Sequence, residues 1–506
     1  MSSVLWEKTS LKDEASMVNV RPSKPIHAWL RRIRVAHIPG PSTPLIDAML
    51  PQFMQRFREL GHEVQKRPTD DTDAVLTSAL FGEDLGWRDA PMFTARRKYR
   101  LQHAPTIFTL VHVTPETLAN TLSNLESALA KEPPSPADFK YPGLAPQAWQ
   151  VLVEQGRRGG PIMALERLIQ AQTKSIRVIL VVGRDAPIEA YSFDLAGAYP
   201  RSDASDPVAF YEDLVLRIVT AVSTIEITQH QIVGEPIPAE TWRSLQTPNA
   251  MKWAGRELGK REFFTSMIRI ADLAYVPALS DTVASQYSEG CFATWDAMIE
   301  GLIATVTGSA SPVNKGNLTD EDLAVIVGVR PDGQGALVRN VAGRHNRPPS
   351  SEAVELIDMD SVLPRLTLDA SWQEEHSVPI VRSKLHGHRG VRAYDPRYVE
   401  YAPLAAPYYH YLVSCATAAQ AEGIKGAFGR AESLRDPEDP RQVVFTVLPG
   451  HGTVIVEKWV AGKAPFETII EYMDAGRIEI DNRVPQGPLS YQPGQDGRLY
   501  LHTLDS

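Results

Sequence analysis

Cysteine is nearly missing from this chain, with two in 506 residues. That excludes a disulfide framework and favours a reducing, cytoplasmic setting. No apolar run approaches the ~18 residues that span a bilayer, so no membrane partner is expected. Basic excess is missing too. The net charge is -9, which leaves no large positive field for a nucleic acid. The run Arg96-Arg97-Lys98 with Arg100 is a local exception and reads as a solvated helix face. The opening residues, MSSVLWEKTSLKDEAS, carry early acids and no hydrophobic segment, unlike a secretory signal.

The common catalytic signatures are also missing. No G-x-G-x-x-G follows a strand, no G-x-x-x-x-G-K-[ST] cradles phosphate, and neither H-E-x-x-H nor C-x-x-C occurs. No G-x-S-x-G elbow is present. A hydrophobic content of 43% and a charged content of 22% describe an ordinary globular protein. At ~150 residues per domain the length allows two to four domains.

What is present alternates strand and helix. Residues 1–30 are polar and irregular and read as an N-terminal arm. RRIRVAHI (31–38), DAVLTSAL (73–80) and TIFTLVHV (106–113) read as strands, with an amphipathic helix after the first, closed by Gly61. This rhythm predicts a parallel sheet with helical crossovers. Ligands on such sheets bind at the carboxyl ends of the strands. The loops there are HIPGPST (37–43) and FGEDLGWRD (81–89), and the second makes Trp87 a candidate substrate contact. The proline-rich stretch 132–146 reads as a linker or lid. SIRVILVVG (175–183) is a buried-strand run and opens a second α/β unit, with helical patterns at 208–227 and 249–272. From 322 the texture becomes β-rich, with strands at 378–385, 442–448 and 453–460 and some helix around 414–434. The expected fold class is therefore α/β, with two Rossmann-like α/β domains followed by a β-rich C-terminal domain. The boundaries are an arm at 1–30, a first domain at 31–165, a second at 166–370 and a third at 371–506.

The stretch 285–317 reads as the central element. Phe292, Trp295, Ile299, Leu302, Ile303 and Val306 recur at helical spacing. At about 100° per residue, Glu289, Asp296 and Glu300 fall on one shoulder of that stripe. A buried carboxylate there is costly unless it pairs, hydrogen-bonds or holds a metal. Glu289 and Asp296 are the candidate catalytic carboxylates. The alternative is that Glu289 is a first-turn acid favoured by the helix dipole and that Asp296 and Glu300 face water.

Histidine is concentrated late: six of the 13 lie between 345 and 451. The clearest group is SKLHGHRG (383–390), where a strand runs into a glycine-bearing loop. Two histidines separated by one residue point the same way on an extended backbone, so His386 and His388 can reach one metal ion. Lys384 and Arg389 sit at the same mouth, as candidate contacts for anionic or polyhydroxyl substrate groups. His451, in the glycine turn LPGHGTV, is a third candidate ligand. Cys291 reads as packing or as a thiol with a lowered pKa. PYYHY (407–411) would suit a sugar ring or a core.

The motif E-G-C-F-A-T-W-D-A from Glu289, the ending L-I-A-T-V-T-G-S-A-S-P from Leu302 and the glycine turn of PGHGTVIVEKW resemble the L-fucose and L-arabinose isomerases. The resemblance covers the architecture of most of the chain and short motifs only at residue level. It implies that Glu289 is a metal-ligand carboxylate that also shuttles protons, with a divalent ion, typically manganese, bridging the carbonyl and neighbouring hydroxyl oxygens of a sugar. Cys291 stands where that family often has aspartate. Asn314 and Asn317 replace a second carboxylate, leaving Asn314 as a substrate contact. The family assembles as trimers or their multiples, so a homo-oligomer is implied. The expected function is metal-dependent aldose–ketose isomerisation. The alternatives are a non-catalytic sugar-binding protein on the same fold, or a metal-dependent lyase or hydrolase.

Overall fold

A computed structural model describes residues 32–102, 105–131, parts of 152–222, 231–264, 290–306, 314–331, 335–369, 375–388, 390–393, 399–401, 418–448, 452–481, 489–493 and 499–503. The expected arm at 1–30, the stretch 132–146, PYYHY, Glu289, Arg389 and His451 lie outside the described residues.

The first sheet holds six strands: β1 (Arg34–His37), β2 (Glu63–Gln65), β3 (Ala74–Leu80), β4 (Thr106–Val113), β5 (Arg177–Val182) and β6 (Glu189–Ser192), in the spatial order β2-β1-β3-β4-β5-β6. All neighbours are parallel except β5 and β6. Helix α1 (Pro44–Glu59) starts where the Thr43 side chain accepts the Ile46 N–H. It buries Ile46, Met49, Phe53 and Phe57 against β1, β3 and β4. Each such side chain contributes roughly 1.5–3 kcal/mol on burial. Helices α2 (Pro91–Tyr99) and α3 (Pro115–Leu129) follow β3 and β4. The basic run on α2 is exposed, as a solvated face should be. Within 175–183, Arg177–Val182 form a strand, as the continuous apolar run predicts, but that strand is the fifth of this sheet. Its composition identifies a doubly covered strand without saying which sheet receives it.

The second sheet is mixed and nine-stranded, in the order β16-β17-β18-β14-β8-β9-β10-β11-β7. Its members are β7 (Ile232–Val233), β8 (Cys291–Asp296), β9 (Gly301–Thr305), β10 (Leu323–Val329), β11 (Ala336–Arg339), β14 (Val381–Gly387), β16 (Val399–Tyr401), β17 (Val443–Leu448) and β18 (Gly452–Lys458). Two-stranded ladders are made by β12 (Arg365–Asp369) with β13 (Glu375–Pro379), by β15 (Gly390–Ala393) with β19 (Ile478–Asp481) and by β20 (Leu489–Pro493) with β21 (Leu499–Thr503). Helices α4 (Ala239–Ser244) and α5 (Thr247–Lys260) precede β8. Helices α6 (Ser351–Asp358) and α7 (Ala418–Arg430) cover one face of the sheet, with Ala353, Leu356, Ile424 and Phe428 meeting Cys291, Ala293 and Val456. Helix α8 (Glu467–Asp474) belongs to the other face, where Ile469 joins Phe292, Leu385 and Ile455.

The helix expected over 285–317 is a correction. Residues 291–305 form a β-hairpin, β8 and β9, in antiparallel register from Ala293↔Ala304 to Asp296↔Gly301. The reason is burial on both faces. Every residue of both strands is buried, so the run is apolar throughout and satisfies helical spacing by coincidence. Asp296 makes the turn: its carboxylate accepts the Met298 N–H at 3.0 Å and the Thr247 hydroxyl at 2.5 Å. Glu300 holds the left-handed φ of 47° that closes it.

Candidate metal centre

Strand β14 brings Lys384 and His386 to the face covered by α6, because alternate residues of a strand share a face, and His388 follows directly after the strand's last residue, Gly387. His386 stands opposite Cys291 on β8 and opposite Val454 on β18. Two glycines let the backbones close in at this end. A Cβ on Gly290 would lie 2.2 Å from the His386 carbonyl oxygen, and one on Gly452 would lie 2.1 Å from that of Gly387. Both hold positive φ, 78° and 147°, which glycine alone adopts freely.

Above the strand, Pro349 bridges Val306, and the Ser350 N–H donates to the Thr305 carbonyl at 2.9 Å. This sets the start of α6 and drops its first turn onto the histidines. Glu352, His386 and His388, all buried, place one ligand atom each within 4.8 Å of one another. The imidazole rings lie 5.3 Å apart at 63°. The Ser350 hydroxyl donates to Glu352 Oε2 at 2.5 Å. His386 Nδ1 lies 3.2 Å from the Thr453 carbonyl. A carbonyl only accepts, so Nδ1 carries the proton and Nε2 keeps its lone pair. Burial lowers the His386 pKa to about 4, and burial pushes the Cys291 thiol well up.

The donor set fits a divalent transition metal. Two neutral imidazoles and a carboxylate are the ligands of many catalytic zinc, iron and manganese sites. The Thr453 carbonyl and the Ser350 hydroxyl are the outer partners that orient such ligands. Glu355, one turn further along α6 and buried, shares the Glu352 face of the helix.

The remaining candidates are placed elsewhere. Asp296 lies five residues along β8 from Cys291, about 16 Å at strand rise, and on the opposite face. Lys384 shares the histidine face but is wholly buried, and its ammonium meets Asp360 at 2.5 Å. Burial lowers the Lys384 pKa and raises that of Asp360, as expected of a closed internal pair. Asn314 caps a short 3-10 turn, accepting the Gly316 N–H at 2.9 Å. Trp87 belongs to the parallel-sheet region, is 68% exposed and has the Lys174 ammonium 5.7 Å from its ring. In that same region His112 bridges the Thr43 hydroxyl and the Gly183 carbonyl, at 3.1 and 2.7 Å. Glu352 is the residue that sequence reasoning missed. Its signal was present: Pro348-Pro349-Ser350 stops one element, and an apolar helix with an acid in its first turn follows.

No family model matches the chain, and no curated protein matches it. A solved structure of an L-fuculose 1-phosphate aldolase aligns with 42% of this chain and 84% of that chain, at 14% identity and a TM-score of 0.22. Among the described residues no helix is long and apolar enough to cross a membrane.

Proposed function

We propose that Glu352, His386 and His388 hold one divalent transition metal, and that the protein is a metal-dependent enzyme for a substrate with a carbonyl beside a hydroxyl group. The observation that carries this reading is the convergence of those three side chains, from two distant segments, inside the protein. A divalent ion at that point supplies Lewis-acid polarisation of a carbonyl and its neighbouring oxygen. The chain's own residues do the rest. Ser350 aims Glu352, and Thr453 selects the His386 tautomer. The covering helix α6 keeps water from the reacting carbon, and Glu355 is the carboxylate we assign to moving a proton. On this reading Glu352 takes the ligand role expected of Glu289.

Two outcomes of the chemistry differ in their products: isomerisation moves a proton between the carbonyl carbon and its hydroxyl-bearing neighbour, and aldol-type lyase chemistry breaks the next carbon–carbon bond, between that neighbour and a hydroxyl-bearing β-carbon. The test strips the protein with a chelator and reloads it with manganese, zinc, cobalt or iron. It is then offered aldoses, ketoses and their phosphates. Metal-dependent interconversion supports the isomerase reading, and metal-dependent cleavage into shorter carbonyl compounds supports the lyase. Sugar binding with neither metal uptake nor turnover would overturn both in favour of a binding protein.

A further inference from the structure

The parallel-sheet region leaves an apolar group in water. Trp87, Met92 and Phe93 are exposed at 68%, 41% and 44%. The Trp87 and Phe93 rings meet edge to face at 6.2 Å and 72°. Trp87 is also held by Lys174, whose ammonium lies 5.7 Å from its ring, pairs with Asp84 and donates to the Ala171 carbonyl at 2.6 Å. The ring is thus fixed before anything binds, which lowers the ordering cost of a contact. Aromatic rings and methionine beside arginine are the composition of protein interfaces, and an apolar cluster left in water marks such a face.

Charge is arranged around these rings. On α2, Pro91 and Ala95 are buried, so at about 100° per residue Met92, Phe93, Arg96 and Arg97 share the outer face. Residues 90–100 hold four cations, Arg96, Arg97, Lys98 and Arg100, and no acid. Before the helix come Glu83, Asp84 and Asp89, with Arg88 the one cation among them. Asp84 is taken by Lys174, and Asp70, which reaches past the helix end, accepts the Gln102 N–H at 2.6 Å. Glu83, Asp89, Arg96 and Arg97 are exposed, and none of them forms an ion pair among the described residues. A solvated face and a docking face share exposed charge; the rings between the two signs separate them. Acid, apolar group and base in that order are self-complementary, since a two-fold axis through the centre sets the acids of one copy against the bases of the other. At a net charge of -9 two copies otherwise repel, so a contact needs a local reversal of sign. We propose that the face formed by residues 83–100 binds the same face of a second copy of this chain, with Trp87, Met92 and Phe93 at the centre and Glu83 and Asp89 of each copy against Arg96 and Arg97 of the other.

Sedimentation velocity of the full chain over a micromolar concentration range tests this. The expected result is a reversible dimer that weakens as salt rises and that Trp87→Ala weakens about tenfold or more. R96E/R97E and E83K/D89K should each stay monomeric where wild type is dimeric. Mixed in equal parts they should dimerise, because each then meets the opposite charge at both ends of the two-fold contact. Wild type that stays monomeric overturns the proposal, as does a dimer unchanged by these substitutions. Charge variants that lose the dimer and do not recover it on mixing overturn it too. Monomeric wild type that binds phosphatidylserine vesicles or an oligouridylate, and loses that binding in Trp87→Ala, overturns it in favour of a lipid or an RNA. Should a charge variant fail to fold, wild type and Trp87→Ala decide: a dimer indifferent to both salt and that substitution overturns the proposal.

Discussion

Two buried carboxylates approach the same pair of strands from opposite faces and meet different partners. Glu457, on β18, accepts the backbone N–H groups of Phe466, Thr468 and Ile469 and the Ser383 hydroxyl, all within 2.9–3.1 Å. These donors belong to the start of α8, so the carboxylate serves as its cap from outside the helix. Glu352, on α6, meets two imidazoles and one oriented hydroxyl. Fixed backbone donors satisfy a carboxylate completely and leave it inert. An imidazole such as His386, whose tautomer the Thr453 carbonyl sets from behind, keeps a lone pair for the space it shares with His388 and the carboxylate, and that arrangement suits a cation. Burial alone therefore does not mark a functional acid. The partners do.

The comparison breaks most sharply on metal uptake. Glu352→Ala and His388→Ala should each weaken zinc or cobalt affinity at least ~100-fold, since even loss of an outer-shell partner can cost that much. Glu457→Ala should leave it unchanged. Calorimetric titration of the three variants checks this, and equal loss in all three would erase the distinction.

On stability the ranking changes. Lys384→Met leaves Asp360 buried beside no cation and should cost about 3–5 kcal/mol in urea unfolding. The double variant Lys384→Met/Asp360→Leu should recover most of that, which a single substrate-binding lysine would not explain. Glu457→Ala orphans three backbone N–H groups and should cost about 3 kcal/mol, again read from urea midpoints.

Glu457 also has a pH signature. Burial pushes its carboxyl up to about 7 against the pull of the backbone donors. Between its unfolded pKa, near 4.5, and that value, the folded protein binds more protons than the unfolded chain. The contribution is fully present below the lower value and is lost as pH rises through about 7. Glu457→Gln should flatten the stability profile in that window. A profile that keeps the wild-type slope would mean that another group titrates there. The smallest effect is at the hairpin turn: Thr247→Val removes one hydrogen bond to Asp296 and should cost about 1 kcal/mol, with metal affinity untouched.

Much of the fold was legible in the residues. DAVLTSAL, TIFTLVHV and SIRVILVVG are apolar runs bounded by polar turns, and each is a strand of the first sheet. The hairpin 291–305 was misread because both faces are buried. Phe292, Trp295, Ile299 and Leu302 fit a helix only because their neighbours are apolar as well. At the site, His386-x-His388 was legible because strand alternation is local. Its carboxylate was not, because Glu352 precedes His386 by 34 positions and the contact is made by packing α6 on the sheet. The reasoning applied to Glu289, an acid in the first turn of a buried helix, describes Glu352 instead.

The most direct test of the central claim is X-ray absorption at the metal edge of wild-type protein loaded with one equivalent of zinc. The account predicts only nitrogen and oxygen donors at about 2.0–2.2 Å, with outer-shell scattering from two imidazoles that disappears in His386→Ala/His388→Ala. A sulfur donor at about 2.3 Å, or a spectrum unchanged in that double variant, would contradict it.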